Sequence, residues 1–193
     1  MGQDGKLDGP TIPDAAAVTR ARRREGGLLR RCGRLLLDSG TQALVLHRCA
    51  HALHRAHVPV LPALLRRLAI LSTGADIHPA ARLGRGVALI HSVGIVIGEG
   101  VLVDDYAEIY GGVVLGGRGG AREQDGFPHV KDDAVICVGA KVLGPITIGA
   151  HATVAAGAVV LDSVPDNSLA AGNPATIRKE YGRAATIQSE PQP

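Results

Sequence analysis

The stretch VKDDAVICVGAKVLGPITIGAHATVAAGAVV, residues 130–160, sets Val130, Ile136, Val142, Ile148, Val154 and Val160 six positions apart. A helix repeats every 3.6 residues and a strand every two, so a strict period of six belongs to neither alone. It fits short strands joined by tight corners, each hexapeptide sending one branched aliphatic inward and turning on Gly, Ala, Asn or Asp. Three hexapeptides close one triangular coil, and stacked coils make a parallel β-helix. The same period runs upstream through Ile77, Leu83 and Leu89 and, after a two-residue slip, through Ile97, Val103, Ile109 and Leu115. Between Leu115 and Val130 the interval is fifteen, so residues 116–129, GGRGGAREQDGFPH, read as a loop thrown out from the wall.

Composition agrees with thin layers. Aromatic residues are 2% of the 193 and Trp is absent, leaving Val, Ile, Leu and Ala to build the core, while 26 Gly supply corners. The three cysteines, Cys32, Cys49 and Cys137, have neither metal nor disulfide-framework spacing and read as reduced thiols of a cytoplasmic protein. The opening residues lack a basic segment followed by an apolar one, and no apolar run reaches the ~20 residues of a membrane span. Net charge is +3, much of it in RARRREGGLLRR, residues 20–31. With so few aromatic stacking platforms, that run reads as a solvated helix face, and neither nucleic acid nor membrane is expected as a partner.

Residues 1–14 carry no periodicity and read as a disordered tail, and 179–193 at the other end read as a loosely ordered C-terminal tail. Residues 15–73 repeat Leu, Ala, Arg and His at helical spacing, broken by HVPVLP, and are expected to form two or three helices. His47, His51 and His54 fall on one helix face; with no adjacent carboxylate they read as packing residues more than as metal ligands.

Two polar residues interrupt the repeat in ADIHPAARLGRGVALIHSVGIVIGEG, residues 75–100: Asp76 and His91. An alcohol is a poor nucleophile, and an imidazole that takes its proton during attack is the economical remedy. A carboxylate on the other ring nitrogen fixes the tautomer and stabilises the imidazolium. The alternative is a cap and a satisfied wall residue.

The stretches DIHPAARLGRGVALIHSVGIVIGE, VVLGGRGG, GAKVLGPITIGAHATVAAGAVVLDSVP and AAGNPATI, spread over residues 76–177, resemble the serine O-acetyltransferases of the hexapeptide-repeat acyltransferase superfamily. That resemblance implies a left-handed parallel β-helix over residues 74–178, following a short α-helical segment. It implies a homotrimer, or a hexamer built from two trimers, that binds acetyl-CoA between subunits and needs no metal. It makes His91 the general base and Asp76 its orienting carboxylate, and it matches Glu99 to a glutamate near the site. Gly117, Val138 and Ala156 match positions beside the pantetheine arm, and Arg178 and Lys179 would face the nucleotide phosphates.

Three departures bear on the acceptor. The acidic residue that precedes the base in the family is Ile90 here, and an Arg-His pair in the loop is replaced by Gly126 and Phe127. Losing an ammonium partner and a carboxylate clamp together weakens the case for L-serine. The loop offers Arg118, Arg122, Asp125 and His129 instead, and Glu99, Phe127, His129 and Arg122 are taken as acceptor-binding candidates. The expected activity is therefore acetyl transfer to a small alcohol or amine, with serine acetylation as the alternative. A non-catalytic assembly protein and a zinc lyase using His78, His91, His129 and His151 are weaker readings. Because the chain ends SEPQP, no sulfhydrylase complex is expected.

Overall fold

The computed structural model describes residues 38–119 and 126–180. The described residues open with two helices. In α1 (Ser39–Arg55), Asp38 caps the first turn by accepting from the Thr41 amide at 3.0 Å, and the Thr41 hydroxyl donates to the same carboxylate. A short linker leads to α2 (Leu61–Thr73), which has a proline in its first turn. Gly74 ends α2 in the left-handed conformation, φ 72°, its N–H bonded to the Ile70 carbonyl.

From there the chain winds as a triangular solenoid of parallel strands. Face I holds β1 (Asp76–Ile77), β4 (Val96–Ile97), β7 (Val114–Gly116), β10 (Lys141–Leu143) and β13 (Val159–Val160). On face II lie β2 (Arg82–Leu83), β5 (Leu102–Val103), β8 (His129–Val130) and β11 (Thr147–Ile148). Face III comprises β3 (Ala88–Ile90), β6 (Glu108–Tyr110), β9 (Val135–Ile136), β12 (Thr153–Val154) and β14 (Ser168–Gly172), closed by the antiparallel β15 (Ala175–Glu180).

The hexad positions stack in register. Ile77, Ile97, Leu115, Val142 and Val160 form one column; Leu83, Val103, Val130 and Ile148 a second; Leu89, Ile109, Ile136 and Val154 a third, which Ala170 continues. All are buried except Leu83, which is half-buried at the open first coil. Burial of each such side chain contributes about 1.5–3 kcal/mol against the entropy of ordering the wall. A second buried series sits two residues earlier in each hexad, from Ala75, Ala81 and Val87 through Ala134, Ala140, Ile146, Ala152 and Ala158. It keeps the period of six and was there to be read.

Helix α1 lies across face III at the first coil, so closely that a Cβ on Gly40 would come within 2.0 Å of the Leu89 carbonyl oxygen. The excursion is shorter than the sequence suggests. Gly116 still belongs to β7 and His129 opens β8, because both backbones complete the ladder, which leaves 117–128 outside the strands. Among the described residues no helix is long and apolar enough to cross a membrane. The expected tail begins two residues too early, because Lys179 and Glu180 pair with β14 and belong to β15; residues 1–14, 181–193 and the basic run 20–31 lie outside the described residues.

Candidate active site

The two-residue slip in the repeat falls on the edge between faces III and I. Five residues separate Ile90 from Val96, where three separate Tyr110 from Val114 one coil later. The extra pair is Ser92 and Val93: the Ser92 hydroxyl is buried and donates to the Thr73 carbonyl at 2.7 Å, while Val93 stands out at 72% exposure. At the head of this bulge His91 takes the left-handed conformation, φ 55°, which turns its ring outward. A non-glycine residue there costs on the order of 1 kcal/mol, less for His, Asn and Asp than for other side chains. Among the described residues the His91 ring meets no hydrogen-bond partner.

The register then sets a column along this edge. His91 lies beside Gly111, Gly111 beside Val138, Val138 beside Ala156, and the same register carries on to Gly172. At about 4.8 Å per strand the column is about 19 Å long. Gly111 has no room for a side chain, since a Cβ would come within 2.4 Å of the His91 carbonyl oxygen. Next to it runs a row of left-handed glycines, Gly94, Gly112, Gly139 and Gly157. Gly94 and Gly112 each leave only about a Cβ of room before the Cα of the glycine one coil on, at 3.4 and 3.5 Å, whereas Gly139 and Gly157 open on free space. The edge is therefore a shallow trough of glycine and small aliphatic residues with His91 at one end. At the other, the Arg178 guanidinium lies 3.8 Å from where a Gly172 Cβ would sit; Arg178 and the neighbouring Lys179 are both on β15 and exposed.

Asp76 opens β1 on face I, beside the same edge. Its carboxylate is gripped from α2: Arg66 Nε donates to Oδ1 at 2.5 Å and Nη2 to Oδ2 at 2.9 Å. Within the chain Asp76 and His91 share no hydrogen bond or ion pair. Two residues on, His78 Nδ1 accepts from the Ala80 amide at 3.2 Å, which places the ring proton on Nε2. Burial holds the His78 imidazolium below its usual range, with Arg66 adding to the effect and Glu99 opposing it. The His54 ring meets His78 edge-on at 6.5 Å. Asp76, Arg66, His78 and Glu99 thus share one patch on the outer side of face I.

Phe127 joins this patch. Its ring lies flat over Gly98 and Gly100, which flank Glu99; a Cβ on either would come within 2.9 or 2.4 Å of the ring. The glycines of the sequence IGEG are the seat of Phe127. Gly117 begins the same excursion at the edge between faces I and II, one face-width from His91. Arg118 folds back over Gly144 and donates to the Leu143 carbonyl at 3.3 Å. Arg122 and Asp125 lie outside the described residues.

The structure does not bring His129 to this patch. It opens β8 on face II, where Nε2 pairs with Asp104 Oδ2 at 2.9 Å, and it lines a separate groove with Arg82, Asp105 and Asp132. Within one chain the histidines of the zinc reading do not converge either. His78 is on face I, His91 on the edge between III and I, His129 on face II and His151 on the edge between II and III. Among the described residues no group of three His, Cys, Asp or Glu could hold a metal ion. Within α1, His47 points into the solenoid, buried with Nδ1 unpartnered, and His51 is bonded to the Pro79 carbonyl at 2.7 Å. Those histidines pack the helix onto the first coil.

No family model matches the chain. A serine acetyltransferase of Synechococcus elongatus is 47% identical over 145 residues, covering 74% of this chain and 58% of that one. Its counterpart in Helicobacter pylori is 42% identical over 147 residues, 76% of this chain and 85% of the relative. Among solved structures, the serine acetyltransferase of Brucella abortus in complex with coenzyme A superposes with a TM-score of 0.76 at 38% identity, covering 89% of this chain and 70% of that one. The chain belongs to the serine acetyltransferase family. The solenoid is the left-handed β-helix of these hexapeptide-repeat acyltransferases. Against the Synechococcus serine acetyltransferase the chain spans 58% of the length.

Proposed function

We propose that the chain transfers the acetyl group of acetyl-CoA directly to the hydroxyl of L-serine. The observation that carries this reading is the trough from His91 to Gly172, flanked by a row of left-handed glycines and carrying only the aliphatic Val138 and Ala156 along its middle, with a candidate base at one end and Arg178 and Lys179 at the other. That length suits an extended pantetheine arm, with Val138 and Ala156 along its middle and the cations near the phosphates. Bound there, acetyl-CoA would supply an activated acetyl thioester. Unblocked by any side-chain partner, His91 accepts the hydroxyl proton as attack proceeds and returns it to the departing thiolate. Asp76 holds the imidazole in the right tautomer from its other nitrogen. An ionised carboxylate accepts about four hydrogen bonds, so the two from Arg66 leave room for the ring N–H.

The site needs more than one copy of the chain. Gly117 and the excursion loop sit on one edge of the prism and His91 on another, with face I between them. In a threefold assembly the loop edge of one subunit meets the His91 edge of the next, and both halves of the site come together. This supports a homotrimer, working in the cytoplasm where its acyl donor is made, and no sulfhydrylase partner is invoked.

A specific observation favours a second acceptor class. Ile90 precedes the base, Gly126 replaces the loop arginine, and Phe127 covers the strand beside Glu99. An alcohol or amine without the amino-acid head group meets less unpaired polar surface there. The test is thiol release from acetyl-CoA across L-serine, homoserine, ethanolamine, hydrazine and simple sugars, with His91→Ala as control. Preference for L-serine supports the main reading, and preference for ethanolamine or hydrazine selects the second. Acetyl-CoA binding without turnover on any of them would leave only an assembly role.

A further inference from the structure

We infer that Arg66 is a positioning residue of the acetyl-transfer site, fixing Asp76 in place and offsetting part of the charge that carboxylate presents to His91. The inference rests on the proposed pairing of Asp76 with His91.

Geometry makes the first half of the case. Two N–H groups of one planar guanidinium reach the two oxygens of one carboxylate, at 2.5 and 2.9 Å, which sets the carboxylate plane as well as its position. The grip spans a joint: Arg66 is on α2, Asp76 on β1, and the left-handed Gly74 turns the chain between them. Whatever α2 does, the orienting carboxylate follows.

The second half is electrostatic. A carboxylate alone beside an imidazole stabilises the imidazolium and raises its pKa, which removes the free base at the pH where it must work. A permanent cation on the far side of that carboxylate offsets part of the field. The charged and titratable groups around the neighbouring His78 are Arg66, Asp76, Glu99 from the next coil and His54 from α1, which meets its ring edge-on. His78 is held towards neutrality and Glu99 adds negative charge, so the compensating positive charge falls to Arg66. Arg66 is itself held more firmly protonated by the Asp76 hydrogen bonds, which outweigh its partial burial.

An ion pair that merely docks α2 would leave His91 untouched, and that difference is measurable. Histidine Cε1 resonances of the full chain are titrated by NMR, with His91 assigned through its loss in His91→Ala, in the parent protein and in Asp76→Asn, Arg66→Gln and Arg66→Lys. The expected result is a His91 midpoint lowered in Asp76→Asn, raised by roughly half a pH unit to one unit in Arg66→Gln, and little moved in Arg66→Lys, which keeps the charge. The acid limb of kcat/KM for the best acceptor should follow, while Arg66→Lys, lacking the fork, lowers the plateau about tenfold. A His91 midpoint that moves in Asp76→Asn and not in Arg66→Gln overturns the inference and spares the dyad. A midpoint indifferent to both removes the dyad as well. If Arg66→Gln does not fold, Arg66→Lys decides: an unchanged limb on a lowered plateau supports the role, and an unchanged plateau rejects it.

Discussion

Two edges of the same prism solve the same turning problem with opposite chemistry. Each coil needs a left-handed residue at each of these corners. On the edge between faces III and I that residue is glycine throughout: Gly74, Gly94, Gly112, Gly139 and Gly157. On the edge between II and III only the first is glycine, Gly86, and the next coils use Tyr106, Asp133 and His151. The second edge tolerates this because carboxylates stitch it. Asp105 accepts from the Arg85 amide at 2.8 Å, Asp132 from the Asp105 amide at 2.9 Å, and Asp166 from the Ala150 amide at 2.8 Å. Stability alone does not demand a glycine column. Its presence on one edge marks where something other than side chains must lie, and His91, the left-handed non-glycine of that edge, marks where the chemistry is.

Removing the exception breaks the comparison most severely. His91→Ala should lower kcat by about 10²- to 10⁴-fold, the usual worth of a positioned general base. Calorimetric affinity for coenzyme A should stay within a few-fold of the parent, because the trough is intact. Equal losses of turnover and affinity would mean that His91 shapes the groove and does no proton transfer.

Filling the trough comes next. Gly139 combines φ 70° with open space above it, so Gly139→Val introduces both a strained backbone and a branched side chain into the proposed pantetheine path. KM for acetyl-CoA should rise at least tenfold, and a strain of about 1–3 kcal/mol should lower the melting temperature by several degrees. A melting shift with unchanged KM would move the donor to another surface.

The third prediction concerns neither edge but the helix that leans on them, and it separates pH effects on stability from those on catalysis. Burial, followed by the neighbouring His51 and Arg48, lowers the His47 pKa from 6.5 to about 4. Between those values the unfolded chain binds the proton and the folded one does not, so stability falls as pH drops from about 6.5 towards 4 and is flat above that range. The loss is of order 3 kcal/mol once complete. Thermal melts of the parent should show it, and melts of His47→Leu should lose most of the slope. A parent melting temperature constant from pH 7 to 4.5 would contradict it.

How far the sequence could be read follows from the same contrast. The period of six is a packing constraint repeated in every coil, so the faces and the register follow from it, while the excursion loop was legible only as an interval whose ends the ladder trims to 117–128. The slip before Ile97 was legible too, although its meaning as the bulge carrying His91 needs the register to be seen. What escaped was everything that depends on distant residues meeting. Nothing in the spacing announces that Arg66, on a helix, will grip Asp76 on a strand, or that Phe127 needs the glycines of IGEG as its seat. His129 looked available because it lies two residues from Phe127. A strand alternates its faces and the corner lies between them, so that short step takes it to face II and to Asp104.

The smallest effect is expected where the edge is stitched. Asp105→Ala deletes a bond to the Arg85 amide and an exposed ion pair with the Arg85 side chain, whose nitrogen lies 2.9 Å from the carboxylate. Exposed pairs count for little in water, so the amide bond is the main loss. The backbone hydrogen bond that the Tyr106 amide makes to the Arg85 carbonyl survives and keeps the turn closed. Melting should fall by a degree or two, while KM for acetyl-CoA and kcat remain at parent values. The logic is positional: the damage sits one full face away from the trough, on an edge whose side chains already occupy the space a ligand would need. Should KM respond to Asp105→Ala as strongly as to Gly139→Val, the two edges would share one function, and the glycine column would need an explanation in folding alone.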